Sequence, residues 1–146
     1  MFKYDAPNQL LEDRTILITG AGDGIGKASA IAYAKAGATV ILAGRTEEKL
    51  EAVYDEIEAL GCKQPAIVPI DFDKAAEPDY IELANLLDET FGKLDGILHN
   101  AGIIGLRTSI ENYDPIIWEQ VMRVNVNAPF ILTQTLMPLL RQSEDA

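Results

Sequence analysis

A single cysteine, Cys62, leaves no partner for an internal disulfide, and the amino-terminal MFKYDAPNQL has neither the basic region nor the apolar stretch of a secretory signal. These two absences point to a reducing cytoplasm. Basic residues are scarce as well: 12 Lys and Arg stand against 23 Asp and Glu, a net charge of -11. Such a surface repels a phosphate backbone and has no surplus cations with which to release counterions, so nucleic acid is disfavoured as a partner. No apolar run approaches the roughly 20 residues a membrane-spanning helix needs. The most apolar late stretch, 129–140, is interrupted by Thr133, Gln134, Thr135 and Pro138. Repeats, low-complexity tracts and linkers are absent, and 146 residues bury one core but not two. The chain reads as one unit, 1–146.

What is present is alternation. Short runs rich in β-branched and apolar residues, at 14–19, 39–43, 66–70 and 96–99, alternate with longer segments of helical spacing, the signature of βαβ units on a parallel sheet. The predicted order is βαβαβαβα: class α/β, the amino-terminal part of a Rossmann-type doubly wound parallel sheet, its strands apolar enough to be covered on both faces. The first helix, about 25–36, is rich in alanine and can lie close on the sheet. The second, about 47–60, puts Leu50, Val53, Ile57 and Leu60 on one face and stops at Gly61. The third, about 78–91, does the same with Leu83, Leu86, Leu87 and Phe91 and stops at Gly92. A long last helix, about 115–141, carries Pro129 and Pro138 inside its pattern, and the acidic tail 143–146 is expected to be solvated or frayed.

The turn TGAGDGIGKAS, 19–29, carries the first chemistry. A phosphate loop of the GxxxxGK[ST] kind would need glycine where Ala21 stands and a hydroxyl where Ala28 stands. The GxGxxG fingerprint fits Gly20 and Gly22 and fails at Ile25; TGxxxGxG fits, on Thr19, Gly20, Gly24 and Gly26, with Ile25 between the last two. In such a turn Gly20 permits the tight reversal off the strand, Gly24 lets the backbone approach a pyrophosphate, Gly26 lets the helix pack on the sheet, and helix N-terminal amides face the negative charge. A ligand-free β-to-α turn would use the same glycines, so the turn alone leaves both readings open. In nicotinamide dinucleotide sites an acid about 20 residues past the glycines takes the ribose 2′-hydroxyl, whereas an arginine accommodates a 2′-phosphate. Here the second strand runs into Ala43-Gly44-Arg45 with no acid, so Arg45 favours NADP(H) over NAD(H), and Asp23 inside the turn works against it.

Pro129 has no N–H, so in a continuous helix the carbonyl of Asn125, four residues earlier, loses its donor and is free for another partner. A merely kinked helix is the plainer alternative. The single histidine, His99, reads as a packed and hydrogen-bonded residue ending a buried strand. Lys27 reads as a solvated helix lysine and Cys62 as a loop thiol. No metal site is expected.

With these residues in place, the chain resembles the short-chain dehydrogenase/reductase family. The resemblance rests on TGxxxGxG at 19–26, Asn100-Ala101-Gly102 in LHNAG, Asp71 after the third strand and Asn125 in VMRVNVNAPF, in the family's order along nearly the whole chain. DGILHNAG and VMRVNVNA are closest to a bacterial branch, the YciK-type oxidoreductases. The resemblance implies an NADP(H)-dependent enzyme moving hydride between nicotinamide and a small carbonyl or alcohol substrate. It gives the turn the pyrophosphate, Arg45 the 2′-phosphate, Asp71 the adenine, and Asn100, Ala101 and Gly102 the ribose side and the wall at strand four. Asn125 would hold a water of the proton relay, and the whole protein would be a homodimer or homotetramer.

The family also carries a serine after a fifth strand and a YxxxK pair beyond it. None of Tyr4, Tyr33, Tyr54, Tyr80 and Tyr113 has lysine four residues on. The expectation is therefore a cofactor-binding half that is inactive by itself, with a non-catalytic nucleotide-binding or redox-sensing module as the alternative. A methyltransferase-type Rossmann domain would leave the NAG and asparagine motifs unexplained. In the family's strand order, 3-2-1-4-5, a chain without strand five bares the edge of strand four and apolar surface on the last helix. The 146 residues alone are predicted to be poorly soluble or associated; a clean monomer in sizing chromatography would contradict this.

Overall fold

The computed structural model describes Pro7 and residues 9–146; the other amino-terminal residues, Tyr4 and most of the stretch read for a leader among them, lie outside the described residues. Among the described residues, four parallel strands, β1 (Thr15–Thr19), β2 (Thr39–Gly44), β3 (Ala66–Pro69) and β4 (Gly96–Leu98), pair in the order β3-β2-β1-β4. Helices α1 (Gly24–Lys35), α2 (Glu47–Ala59) and α3 (Glu77–Phe91) follow the first three strands. After β4 a loop with a 3-10 turn at Ile110–Asn112 leads to α4 (Pro115–Met122), a π-helical segment (Arg123–Asn127) and α5 (Ala128–Leu140). This is the expected doubly wound arrangement.

Alternation along the central strands sorts the core onto two faces. Leu17, Ile41 and Ala43 pack with Val68, Tyr80, Leu83, Leu87, Leu132 and Leu136 under α3 and α5. Ile18, Val40 and Leu42 pack with Ala30, Ala34, Leu50, Val53 and Ile57 under α1 and α2. In α1 the buried residues are Gly26, Ala30 and Ala34, one small-residue stripe at a spacing of four, which lets the helix backbone sit close to the sheet.

Several expectations are corrected. Only β1 and β2 are covered on both faces; β3 buries Val68 alone, and all three residues of β4 are half-buried, because these are the edges of the described sheet. Both edge strands also end one residue earlier than expected, at Pro69 and Leu98. Leu60 and Leu86 are exposed. Leu60 lies past the end of α2, where Gly61 turns left-handed at φ +71°, and Leu86 sits about 90° round α3 from the Tyr80-Leu83-Leu87 stripe.

The last helix is not continuous. Pro129 can neither donate to the Asn125 carbonyl nor tolerate it at α-helical distance. The chain answers by widening: the Ala128 N–H bonds Arg123 O, five residues back. The outer edge of the sheet carries a second proline. The Ile70 N–H bonds Gly44 O on β2, so the alternation of a parallel pair turns the Pro69 nitrogen outward, where it offers no donor.

At the opposite end of β1 a buried carboxylate gathers four donors. Asp95 Oδ2 accepts from the Thr15 N–H at 2.8 Å, and Oδ1 accepts from Ser143 Oγ at 2.6 Å, Lys93 Nζ at 3.1 Å and Arg14 Nη1 at 3.4 Å. Arg14 also reaches the Asp145 carbonyl at 2.9 Å. The tail is exposed, as expected of a solvated end, apart from the half-buried Ser143, and Ser143 and Asp145 tie it to Asp95 and Arg14. Burial raises the Asp95 pKa, but the hydrogen bonds from Ser143, Thr15 and Lys93 outweigh it and hold the carboxyl below the ordinary carboxylate range. Because the folded pKa is the lower one, the stabilisation is complete above about pH 5 and is lost as pH falls through the folded value. We expect Asp95→Asn to lower stability by roughly 2 kcal/mol near neutrality in chemical denaturation, with the gap to wild type closing in acid. A gap that persists unchanged to low pH would contradict the assignment.

Candidate functional site

The chain reverses direction across the sheet between β1 and β4, so the segments leaving these strands part to opposite faces and open a crevice beyond the strand ends. A cavity of about 320 Å³ lies there. All four strand ends line it: Gly20, Gly22 and Asp23 after β1; Gly44 at the end of β2 with Arg45, Thr46, Lys49 and Leu50 after it; Ile70, Asp71, Phe72 and Asp73 after β3; Ala101, Gly102 and Ile103 after β4. Gln120 and Val124 complete the wall.

The turn after β1 is shaped by lack of room. Gly20 has φ +65°, and a Cβ there would lie 2.9 Å from Asn100 Nδ2. A Cβ at Gly26 would overlap the Gly20 carbonyl oxygen, whereas one at Gly24 would meet nothing within 4 Å. Backbone is therefore crowded at Gly20 and Gly26 and open at Gly24. Gly22, a spare residue in the motif, lets α2 approach: a Cβ there would come 2.9 Å from Lys49 Cβ.

Thr19 and Asn100, 81 residues apart, form one unit. The buried Thr19 hydroxyl accepts from the Asn100 and Ala101 N–H groups, both at 3.0 Å, and donates to Leu98 O at 3.3 Å. Asn100 Nδ2 donates to Thr19 O at 3.1 Å and Gly20 O at 3.2 Å. Asn125 does similar work one step out, its Oδ1 accepting from the Ile103 N–H at 2.9 Å and its Nδ2 donating to Ile103 O at 2.8 Å. The cavity thus collects Gly20, Arg45, Asp71, Ala101 and Gly102 of the expected residues. Thr19, Gly24, Gly26, Asn100 and Asn125 stand behind or beside it, and Ile25 is exposed in the first turn of α1.

Sequence reasoning passes over Lys49. It lies one helical turn after Arg45 and lines the cavity with Arg45 and Thr46; the R-x-x-x-K spacing was the available signal. Its Nζ is 2.7 Å from Asp23 Oδ2, while Asp23 Oδ1 accepts the Gly24 N–H at 2.8 Å and caps α1. Lys49 first and the Gly24 N–H second lower the Asp23 pKa. The carboxylate counted against an anion at the turn is therefore partnered by a cation.

Other residues fall outside the cavity lining. His99 is exposed and lies past the end of β4, which corrects the buried-strand reading. The Thr133 hydroxyl donates to Pro129 O at 2.7 Å, so the His99 Nε2–H donates to Thr133 Oγ1 at 2.8 Å. Partial burial lowers the His99 pKa. Lys27 pairs with Glu56 at 2.8 Å, and Cys62 is half-buried. Among the described residues, no group of three or more His, Cys, Asp or Glu could hold a metal, and no helix is long and apolar enough to cross a membrane.

Comparison with known proteins places this geometry. The short chain dehydrogenase family profile matches residues 14–146. The uncharacterised oxidoreductase YciK of Escherichia coli K12 is 45% identical over 141 residues, covering 97% of this chain and 56% of its own. A solved structure from Pseudomonas syringae superposes with a TM-score of 0.97 at 51% identity, over 100% of this chain and 59% of that one. An Escherichia coli CFT073 structure complexed with NADPH superposes with a TM-score of 0.91 at 47% identity, over 94% of this chain and 58% of that one. The chain thus spans little more than half the length of these relatives.

The crowding at the turn is testable without a ligand. Gly26→Ala should cost about 3 kcal/mol or prevent folding, whereas Gly24→Ala, strained only by its φ of +52°, should cost about 1 kcal/mol. Equal denaturation midpoints for the two variants would contradict the packing described.

Proposed function

We infer that this chain, which belongs to the short chain dehydrogenase family, forms the cofactor-binding half of an NADP(H)-dependent oxidoreductase acting on a small carbonyl or alcohol. The observation that carries this reading is the pair of cations after β2, where Arg45 and Lys49 stand beside the glycine turn with Thr46 and no acid at the end of β2 awaits a ribose 2′-hydroxyl. The NADPH complex of the Escherichia coli CFT073 relative supports it.

In this reading Arg45 and Lys49 hold the 2′-phosphate by charge-assisted hydrogen bonds, with the Thr46 hydroxyl beside them. The amides opening α1, reached over Gly20, Gly24, Ile25 and Gly26, take the pyrophosphate. Asp71 accepts from the adenine amino group, and Ala101 and Gly102 wall the ribose. Thr19 and Asn100 act from behind by fixing both turns. Asn125 fixes Ile103 with its side chain, and its carbonyl, which Pro129 deprives of a donor, holds a water for proton relay. The bound nicotinamide supplies hydride chemistry, and these residues bind and orient it. Assembly as a homodimer or homotetramer in the cytoplasm belongs to the same proposal. The absence of a Tyr with Lys four residues on keeps a second reading in view, a nucleotide-binding or redox-sensing module without catalysis. A general acid in the residues that complete the relatives' length would decide for the enzyme.

Titration followed by nicotinamide fluorescence tests the cofactor choice: NADPH should bind more tightly than NADH, and an equal or tighter NADH response would overturn it. Arg45→Ala should weaken NADPH binding about tenfold with little effect on NADH. Lys49→Ala should weaken it further, because it also leaves Asp23 facing the phosphate without its cation.

A further inference from the structure

We propose that Gln120 and Arg123 are positioning residues that grip Asp73 and so hold Asp71 at the adenine end of the crevice. The proposal rests on the reading that this crevice takes the adenosine part of NADP(H). Both carboxylate oxygens of Asp73 are engaged: Gln120 Nε2 donates to Oδ2 at 2.7 Å and Arg123 Nη1 to Oδ1 at 3.1 Å. The same Nη1 lies 3.1 Å from the Asp73 carbonyl oxygen. Gln120 belongs to α4 and Arg123 to the π-helical segment, three positions apart and on one side. The grip therefore joins the segment after β3 to the helices after β4 across the crevice that Asp73 and Gln120 both line.

The grip passes directly to the acid. The Asp73 N–H donates to Asp71 Oδ1 at 3.2 Å, so fixing Asp73 fixes that oxygen. Beyond Ile70, the other backbone hydrogen bonds of the segment are local, from the Lys74 and Ala75 N–H groups to Asp71 O, and Phe72 packs on Tyr80 in the core. Asp71 Oδ2 also pairs with the Lys74 ammonium at 3.3 Å, on an exposed side chain. Val124, beside Arg123, and Phe72, between Asp71 and Asp73, are buried in the same core, so the backbone is anchored on both sides and the grip acts on the half-buried Asp71 and Asp73 that flank Phe72. Ordering Asp71 in advance lowers the cost of binding the adenosine end.

The test uses Gln120→Ala/Arg123→Ala, with Arg123→Lys as the conservative variant and melting to verify folding. In the protein without nucleotide, amide hydrogen exchange at Asp73, Lys74 and Ala75 should rise about tenfold in the double variant, and affinity for adenosine 2′,5′-bisphosphate and for NADPH should fall by the same factor, about tenfold. Arg123→Lys should recover part of both. Unchanged exchange overturns the grip whether or not nucleotide binds. Faster exchange with unchanged bisphosphate affinity, or a loss confined to NADPH, overturns the positioning role. Failure of the wild-type protein to bind NADPH would instead sink the cofactor reading, with the exchange rates still deciding the grip.

Discussion

The β1–β4 pair is held by only three residue pairs, Ile16–Gly96, Leu17–Ile97 and Ile18–Leu98, and at its upper end side chains take over from the ladder. The Thr19 hydroxyl closes on two backbone amides, and the Asn100 amide closes on two backbone carbonyls. Everything that forms the crevice hangs from this weld. It sets where the chain leaves β1, how close α1 starts beneath the Gly20 carbonyl, and where the NAG turn faces the glycines. Loss of either side chain would leave buried backbone groups without partners, a penalty larger than the hydrogen bonds themselves.

Electrostatics at the site runs against the molecule as a whole. A net charge of -11 repels any polyanionic ligand at long range, and this repulsion is screened beyond roughly 8–10 Å in physiological salt. Within that distance the pairing of individual groups decides. Lys49 cancels Asp23, Arg123 and Gln120 occupy Asp73, and Arg45 faces the cavity. Charge in the crevice is thereby balanced group by group, with Arg45 and Lys49 set among Asp23, Asp71 and Asp73.

The parts of the molecule that follow from local rules were legible in the residue order. Central strands read as apolar runs because both faces are covered, and the glycine spacing reads as a turn because nothing larger fits at Gly20 or Gly26. Pro129 announced a break, since a missing N–H is a property of the residue alone. Its form was not legible: a kink and a π-helical widening relieve the same clash, and packing chooses between them. Leu86 matched the helical period only loosely, and Leu60 matched it but falls just past the last turn of α2, whose end the period does not fix. Gln120, Arg123 and the anchoring of Ser143 and Asp145 needed partners 47 to 131 residues away, a distance no local pattern encodes.

The proline at the end of β3 has a consequence for how this sheet can be extended. Backbone on that rim lacks a donor where a neighbouring strand would seek one, so another chain gains little by pairing there. The rim at β4 carries no such block. Growth of the sheet is thus biased: an additional strand, whether from the same polypeptide or another, finds a fuller set of donors on the β4 side.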